Sequence, residues 1–440
     1  MTGAETLALL KRGKLKGASR LDLSADLKEI PGEVYDLADS LEILNLSGNR
    51  LSDLPEDLTR LKKLRILFCS QNQFEHLPPV AGKLPALEML GFKSNRIEVV
   101  DETSLSPSLR WLILTDNRIS RLPSSVGACL PLRKLMLSGN RLRELPDEMA
   151  ACANLELIRL AANRFEELPE WLFGLPKLAW FAFSGNPVSA HARGSSFPGA
   201  TLHWEHLDLG DKLGEGASGT IHRALHGSRE IAVKIFKGEV TSDGIPASEM
   251  AAVLAAGEHP HLIRPLGPVE GHPSGSTALA MELISGDFRN LANPPSLESC
   301  TRDVYPPDLG FSMASAIKIA SGMATVGAAL HEGGLMHGDL YAHNMLIDAG
   351  GHCLLGDFGA ATFHPPHFPA GLLEKIEVRA FGCLLEELLE RVDDREIPES
   401  LQAIATRCLS TDPGSRPSFH EIVQMLEDAA LALGLPSGGV

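Results

Sequence analysis

A pattern of leucines and asparagines repeats along the first half of the chain and limits the folds it can adopt. Leu-x-x-Leu-x-Leu-x-x-Asn-x-Leu recurs, with small changes, between residues 41 and 186. Units this short cannot bury an apolar face alone, so they must stack into a solenoid. The asparagines, 23 residues apart with one interval of 22, are Asn49, Asn72, Asn95, Asn117, Asn140, Asn163 and Asn186.

This pattern resembles the leucine-rich repeat. The resemblance implies that the leucines line a core and that the asparagines satisfy backbone groups where each strand turns. Leu-Pro dipeptides, as at Leu54-Pro55 and Leu145-Pro146, predict where each extended run ends. Residues 18–40 predict a degenerate first repeat. We therefore expect an α/β leucine-rich-repeat solenoid over residues 1–190, with about seven repeats and an N-terminal cap.

One face of the predicted solenoid is apolar. Strand side chains alternate, so the residues that flank the fourth-position leucine point away from the core. A contiguous apolar patch usually marks an interface, so we expect a protein partner, or the chain's own second half, to bind this face. Mutual shielding in a tightly curved solenoid is the alternative. The residues are Ile43, Ile66, Phe68, Met89, Trp111, Ile113, Met136, Leu157 and Trp180.

The second half contains a pattern typical of phosphoryl transfer. The run His337-Gly338-Asp339-Leu340-Tyr341-Ala342-His343-Asn344 is followed, after twelve further residues, by Asp357-Phe358-Gly359. One carboxylate can position an attacking hydroxyl, while the Asn and the second carboxylate can hold magnesium on nucleotide phosphates. The order and spacing of these fragments are far more specific than any one of them.

A glycine-rich segment precedes this pattern. Residues 214–221 read Gly-x-Gly-x-x-Gly-x-Ile, which alone could equally open a Rossmann unit. A strand pattern that carries Lys234 follows, where a Rossmann unit would have a helix. This order predicts a hairpin over a nucleotide, with Lys234 reaching the phosphates. Glu249 opens a helix-like segment and can pair with Lys234.

Residues 207 to about 432 resemble a eukaryotic-type protein kinase domain, which implies a two-lobed α+β fold that binds ATP and magnesium. By this resemblance Asp339 is the catalytic base, Lys234 binds the phosphates, Glu249 holds Lys234, and Asn344 and Asp357 hold the metal. Arg416-Pro417-Ser418 matches a late signature of the family. The nucleotide contacts that the resemblance implies are Leu213, Gly214, Gly216, Gly219, Ile221, Ala232, Lys234, Glu282, Ile284 and Leu346.

The chain also departs from this family. Gly338 stands where many kinases carry an Arg that binds an activation-loop phosphate, which Gly cannot do. Asp357 and Glu377 are only twenty positions apart, without an Ala-Pro-Glu between them, so the peptide-docking surface is expected to be truncated. Glu377 replaces the usual Asp, and Tyr341 replaces a Lys common in serine/threonine kinases.

Three functions remain open from the sequence. The first is an active serine/threonine protein kinase that uses its repeats to bind a partner or substrate. The second is a catalytically weak or dead kinase-like scaffold, which the short activation segment favours and the full set of catalytic residues opposes. The third is a small-molecule phosphotransferase, since His-Gly-Asp with an Asn five residues on also occurs in aminoglycoside kinases.

The composition of the chain limits its possible partners and its possible location in the cell. The net charge of −16 opposes nucleic-acid binding, which needs clustered Lys and Arg. We expect no transmembrane segment, because the closest run, residues 313–330, carries Lys318 and predicts a buried helix. The seven cysteines are odd in number and scattered, which argues against a disulfide framework and for a cytoplasmic protein. The sixteen histidines lack zinc-site spacing, so magnesium is the metal we expect.

Breaker-rich stretches set the remaining boundaries. We expect a linker at 191–203, a kinase-like domain at 204–432 and a tail at 433–440. Residues 292–310 are rich in breakers and are expected to form a surface insertion.

Overall fold

The computed structural model describes residues 2–189, 199–216, 218–238, 240–241, 243–369, 371–393 and 396–435. They divide into two compact units, Met1–Leu175 and Pro176–Val440. The repeat pattern runs to Asn186, and its last repeat, from Pro176 on, is assigned to the second unit. Most of the predicted linker and residues 436–440 of the predicted tail lie outside the described residues.

The first unit is built from short parallel strands. After helix α1 (Gly3–Lys11), strands β1, β2, β3, β5, β7, β8 and β9 are neighbours, in that order, within one sheet, while β4 pairs with β6. Equivalent positions pair from one repeat to the next, as Leu44 with Leu67. The strands are β1 (Arg20–Asp22), β2 (Ile43–Asn45), β3 (Ile66–Phe68), β4 (His76–Leu77), β5 (Met89–Gly91), β6 (Val99–Val100), β7 (Trp111–Ile113), β8 (Lys134–Met136) and β9 (Leu157–Arg159). The degenerate first repeat is confirmed by β1.

Short 3-10 helices return the chain from one strand to the next. The proline of a Leu-Pro dipeptide caps several of them, because its fixed φ sets the chain up for the first turn. These helices are Gly32–Leu37, Glu56–Arg60, Pro79–Lys83, Ser124–Ala128, Asp147–Ala151 and Glu170–Gly174.

The asparagines form a ladder of buried amides. Asn140 Nδ2 donates to the carbonyls of Leu114 and Leu137, each at 2.9 Å, while its Oδ1 accepts the N–H of Ile119 at 3.0 Å. Three partners satisfy groups that would otherwise be buried without hydrogen bonds. The role that the resemblance implies for these asparagines is therefore confirmed.

The second unit begins with the last repeat strand and continues into a six-stranded sheet of order β11-β15-β16-β14-β13-β12. Leu202 and His203 form β11, which pairs with β15, so the predicted linker ends earlier than residue 203. Two small sheets follow, β17-β19-β20 and β18-β21. The strands are β10 (Trp180–Ala182), β11 (Leu202–His203), β12 (Leu207–Glu215), β13 (Gly219–His226), β14 (Arg229–Phe236), β15 (Pro265–Glu270), β16 (Ala278–Glu282), β17 (Arg289–Asn290), β18 (Leu335–Met336), β19 (Met345–Ile347), β20 (Cys353–Leu355) and β21 (Thr362–Phe363).

The described part of the second unit contains five helices: α2 (Pro246–Ala256), α3 (Met313–Glu332), α4 (Leu372–Leu389), α5 (Glu399–Cys408) and α6 (Phe419–Ala432). Its 3-10 helices are Pro187–Ser189, Trp204–His206, Ala342–Asn344, Phe358–Ala360 and Pro413–Ser415. Among the described residues, α3 alone is long and apolar enough to cross a membrane, and its apolar window is 61% buried inside the protein. A buried core helix passes the same test of length and composition.

The predicted surface insertion, residues 292–310, is anchored rather than loose. Cys300 and Thr301 are fully buried, and Arg302 Nε donates to Glu387 Oε1 of α4 at 2.6 Å. Tyr305 donates its hydroxyl to the same carboxylate at 2.9 Å. Breaker residues report a lack of regular structure, not a lack of burial, so this segment is partly buried while residues such as Pro294 and Asp308 are exposed.

Candidate active site

A glycine-rich hairpin borders the site. Strands β12 and β13 pair antiparallel, with Gly214 opposite Ile221, and β13 pairs with β14 so that Ile221 lies opposite Lys234. Gly219 is buried, and a Cβ there would lie 2.4 Å from the carbonyl oxygen of Ile235. Glycine is therefore required by the close approach of the strands. Ala217 of the same motif lies outside the described residues.

Lys234 and Glu249 form a buried ion pair. Lys234 Nζ on β14 donates to Glu249 Oε1 near the start of α2, and both side chains are almost fully inaccessible to solvent. Burial raises the pKa of Glu249; the charge of Lys234 opposes that shift, while the charge of Asp357 adds to it. A Cβ at Gly359 would lie 3.2 Å from Asp357 Oδ1 and 3.7 Å from Glu249 Oε2, so the two carboxylates lie close to each other.

Asp339 and Asn344 are joined directly. A single 3-10 turn, Ala342–Asn344, brings the Asn back so that its Nδ2 donates to Asp339 Oδ2 at 2.9 Å and to the Asp339 carbonyl at 3.0 Å. Both bonds use the amide nitrogen, so the amide oxygen of Asn344 is available to a cation. We call His337–Asn344 the Asp339 loop.

Asp357 adopts a left-handed backbone conformation with φ of 51°. Its Oδ1 accepts the N–H of Gly359 at 3.2 Å, which caps the short 3-10 helix Phe358–Ala360. Carboxylate and amide oxygens suit magnesium, which binds to one or two protein carboxylates together with substrate phosphates. The donor set of Asn344 and Asp357 fits magnesium. No group of three His, Cys, Asp or Glu residues that could hold a metal occurs within the described parts of the chain.

A buried carboxylate of α4 holds the Asp339 loop. Glu377 Oε1 accepts the N–H of Gly338 at 2.6 Å, and its Oε2 accepts the N–H of His337 at 3.1 Å. Burial alone would raise the pKa of Glu377, but the hydrogen bond and charge of His331 and the N–H of Gly338 hold it below its usual value. Glu377, which stands where the kinase family usually has Asp, thus anchors the start of the Asp339 loop.

Two further histidines extend this network. His331 Nε2 lies 2.8 Å from Glu377 Oε2, and His331 Nδ1 lies 3.1 Å from His364 Nε2. His337 lies on the other side of the loop, where its Nε2 donates to the Gly356 carbonyl at 3.0 Å and its Nδ1 accepts the N–H of Asp339. These two hydrogen bonds hold the ring of His337 and support the Asp339 loop.

The pair His343–Asp303 was not predicted. His343 Nδ1 lies 2.7 Å from Asp303 Oδ1, and the same carboxylate accepts the N–H of His343 at 2.9 Å. Burial opposes the charge of the ring, but Asp303, together with Asp339 and Asp357, raises the pKa of His343. A positive charge is thus favoured between the two carboxylates of the site. The only sign of this pair in the sequence is an Asp within residues 292–310, the segment predicted to be a surface insertion.

The predicted nucleotide contacts lie in the glycine-rich hairpin, in β14, at and after the end of β16, and in β19. Ala232 is buried on β14, Ile221 and Leu346 are half-buried, and Leu213 is exposed at the end of the hairpin. Glu282 ends β16 and is exposed, with half-buried Ile284 two residues further on. Glu282 and Ile284 line a cleft of about 510 Å³. Ile221, Ala232 and Leu346 do not line this cleft, so it is not the expected adenine site.

The segment after Asp357 is short and fixed. We call residues 357–369 the Asp357 segment. Within it, Thr362 and Phe363 form β21, which pairs with Met336 and Leu335 of β18. Thr362 is 1% exposed, and its hydroxyl donates to the Ala360 carbonyl at 3.2 Å. Helix α4 begins at Leu372, only fifteen positions after Asp357.

Family models match both halves of the chain. The protein kinase domain model matches residues 207–370, and leucine-rich-repeat models match residues 39–79 and 130–188. The chain therefore combines leucine-rich repeats with a protein kinase domain.

Curated relatives are protein kinases of differing specificity. The megakaryocyte-associated tyrosine-protein kinase of Mus musculus is 25% identical over 55% of this chain and 53% of its own length. A dual specificity protein kinase of Dictyostelium discoideum is 22% identical over 55% of this chain and 20% of that protein. The probable serine/threonine-protein kinase drkD of the same organism is 26% identical over 51% of this chain and 20% of that protein. The chain thus spans between about a fifth and about half of these relatives.

A solved leucine-rich-repeat protein of Leptospira interrogans is 27% identical, with a TM-score of 0.34, over 39% of this chain and 50% of that one. That similarity supports no conclusion about function.

His364 makes the stability of the folded chain depend on pH. Burial and the neighbouring His331 lower the pKa of His364 from 6.5 to about 4. Between these values the unfolded chain binds a proton that the folded chain does not, so the free energy of unfolding falls as the pH is lowered. We expect His364→Phe to reduce this fall, measured by urea denaturation at pH 7 and pH 5. His367→Phe, at an exposed neighbour, is the control; equal pH dependence in wild type and His364→Phe would contradict the prediction.

Proposed function

We propose that this chain is an ATP-dependent serine/threonine protein kinase that transfers the γ-phosphate of ATP to a protein hydroxyl. The observation that supports it most is the assembled site: the buried Lys234–Glu249 pair, and Asn344 bonded to Asp339 at 2.9 Å. A chain that had lost its activity would have no reason to keep these groups together. The assignment of a protein kinase domain to residues 207–370 does not depend on this proposal.

In the proposed reaction, each of a few side chains has a separate role. Asp339 accepts the hydroxyl proton while the hydroxyl oxygen bonds to the γ-phosphorus and the bond to the β–γ bridging oxygen breaks, which releases ADP. Lys234 binds the phosphates, and Asn344 and Asp357 would hold magnesium. Magnesium, when bound, neutralises charge that develops on the phosphates.

The proposal is tested by incubating the full chain with magnesium and labelled ATP, with a mixture of protein substrates and with aminoglycosides in parallel. Label on protein serine or threonine supports the proposal. Label on tyrosine alone corrects the specificity, as the tyrosine-kinase relative would suggest. Label only on the small acceptor, or ATP binding without transfer, would replace it by a small-molecule phosphotransferase or by a scaffold.

Two variants separate the roles of the carboxylates. Asp339→Asn should reduce kcat by about a thousandfold or more with ATP binding nearly intact, because this group moves a proton and is not a phosphate ligand. Asp357→Ala should also weaken magnesium-dependent ATP binding, because it removes a metal ligand. Single-turnover kinetics and calorimetric ATP titration measure both. Wild-type turnover in Asp339→Asn would show that this residue is not the base.

We further propose that activity does not depend on phosphorylation of the Asp357 segment. Thr362 is its only hydroxyl residue, and that hydroxyl is buried in backbone hydrogen bonds. Thr362→Ala should therefore keep kcat within a few-fold and lower thermal stability slightly, while Thr362→Ser restores stability. A hundredfold loss of kcat that Thr362→Glu rescues would show that phosphate is needed there.

We propose that the strand face of the repeats binds a protein partner or the protein substrate. This face is less open than the sequence suggested, because neighbouring strands shield one another and the ring of Tyr341 covers Trp180. Ile66, Met89, Leu157 and Trp180 are buried, whereas Ile43, Phe68, Trp111, Ile113 and Met136 are half-buried. Trp111 is a suitable anchor, since tryptophan is enriched at interface centres and the ammonium of Lys134 lies 4.3 Å above its ring.

Trp111→Ala should abolish the capture of the partner while the melting temperature and the kinase activity stay close to wild type. Leu130→Ala, which removes an exposed leucine outside the strand face, is the matched control and should keep the partner. The measurement is quantitative affinity capture with each protein, followed by titration of any captured protein. Equal capture by wild type and Trp111→Ala would assign partner binding to another surface.

A cytoplasmic location is also proposed. All seven cysteines are buried and free, which fits a reducing compartment. Burial alone raises the pKa of thiols such as Cys152, to about 11, so these groups are unreactive core residues.

A further inference from the structure

The last repeat contributes residues to the active-site side of the second unit. We call Pro176–Ser189 the terminal repeat segment. The ring of Trp180 stacks on the ring of Tyr341 with centroids 4.2 Å apart and an interplanar angle of 7°. Its indole Nε1 donates to the Leu340 carbonyl at 3.2 Å, and the side chain is 2% exposed. Trp180 therefore binds the two residues that directly follow Asp339.

The same strand explains Gly338. A Cβ at this position would lie 2.5 Å from the carbonyl oxygen of Phe181 and 2.8 Å from that of Ala360. Gly338 also has a φ of +74°, which disfavours other residues. Any side chain here would have to displace the terminal repeat segment. The space that a longer side chain would need is filled by the backbone of the last repeat.

Two more bonds fix the terminal repeat segment. The N–H of Phe183 donates to Thr362 Oγ1 at 3.4 Å, which ties it to the Asp357 segment. Arg416 Nη2 donates to the Pro176 carbonyl at 2.9 Å, while its Nη1 and Nε bind the carbonyls of Lys375 and Ser410. The segment is thus held at its first residue and at Phe183 as well as at Trp180.

We propose that Trp180 is a positioning residue that holds Asp339 for phosphoryl transfer. The inference rests on the proposed kinase function. Glu377 fixes the start of the Asp339 loop and Asn344 fixes its end. Trp180 fixes the middle through Leu340 and Tyr341. The terminal repeat segment thus does by packing what a phosphorylated activation loop does through charge, and the loop needs no phosphate.

The geometry predicts a defined kinetic signature. A catalytic group must be held to within about 0.5 Å of its productive position, and a misplacement of about 1 Å can lower the rate about a hundredfold. Trp180 contacts neither Lys234 nor Glu249, so ATP binding should not depend on it. We expect Trp180→Ala to lower kcat by about 10- to 100-fold with KM for ATP within about twofold. Trp180→Phe keeps a stacking ring without the N–H and should lose less.

A double-mutant cycle tests the path of this effect in the full-length protein. Trp180→Ala, Tyr341→Leu and the double variant are compared, with Leu130→Ala, at an exposed position of the first unit, as the control. If Trp180 acts through Tyr341, the double variant loses little more kcat than Trp180→Ala alone. Additive losses, or an unchanged kcat in Trp180→Ala, would overturn the proposal. So would an equal loss in Leu130→Ala.

A second measurement does not need turnover. Amide hydrogen exchange of residues 337–344 is compared in wild type and Trp180→Phe, both saturated with magnesium and ATP. Faster exchange confined to this loop supports the positioning role even if the wild type transfers no phosphate, in which case only the proposed kinase function fails. Unchanged exchange of the loop would overturn the positioning role whatever the activity.

Discussion

A single buried carboxylate, that of Glu377, fixes the segment on which the site depends. Its two oxygens accept the N–H groups of His337 and Gly338, and His331 completes the network. A buried carboxylate without hydrogen bonds is strongly unfavourable, so these N–H groups and the carboxylate hold one another in place. The carboxylate therefore fixes the backbone on which Asp339 stands.

The proximity of the candidate site residues could be predicted because their spacing is local. Asp339 and Asn344 lie one short turn apart, and Lys234 and Glu249 lie on a strand and on the helix that follows it. Motif order is enough to specify such neighbours. The repeats could be predicted for the same reason, since each strand pairs with the equivalent strand one period away.

Contacts between distant segments could not be predicted. Asp303 reaches His343 across 40 positions, and nothing in a breaker-rich stretch indicates a buried carboxylate. Gly338 was interpreted as the loss of a phosphate-binding Arg, whereas the structure shows a steric reason in the carbonyl of Phe181. The periodicity of the last repeat describes its local conformation but not the core in which it packs.

The position of the unit boundary bears on how such a chain can evolve. Repeat arrays change length easily, because duplication or deletion of one period leaves the neighbouring pairings equivalent. Here the period that contains Trp180 lies within the compact unit Pro176–Val440 and is bonded to the Asp339 loop. Copies can therefore be gained or lost among the earlier periods, whereas the last one is inherited with the kinase domain. Swapping this kinase domain onto another array would have to carry the terminal repeat segment with it.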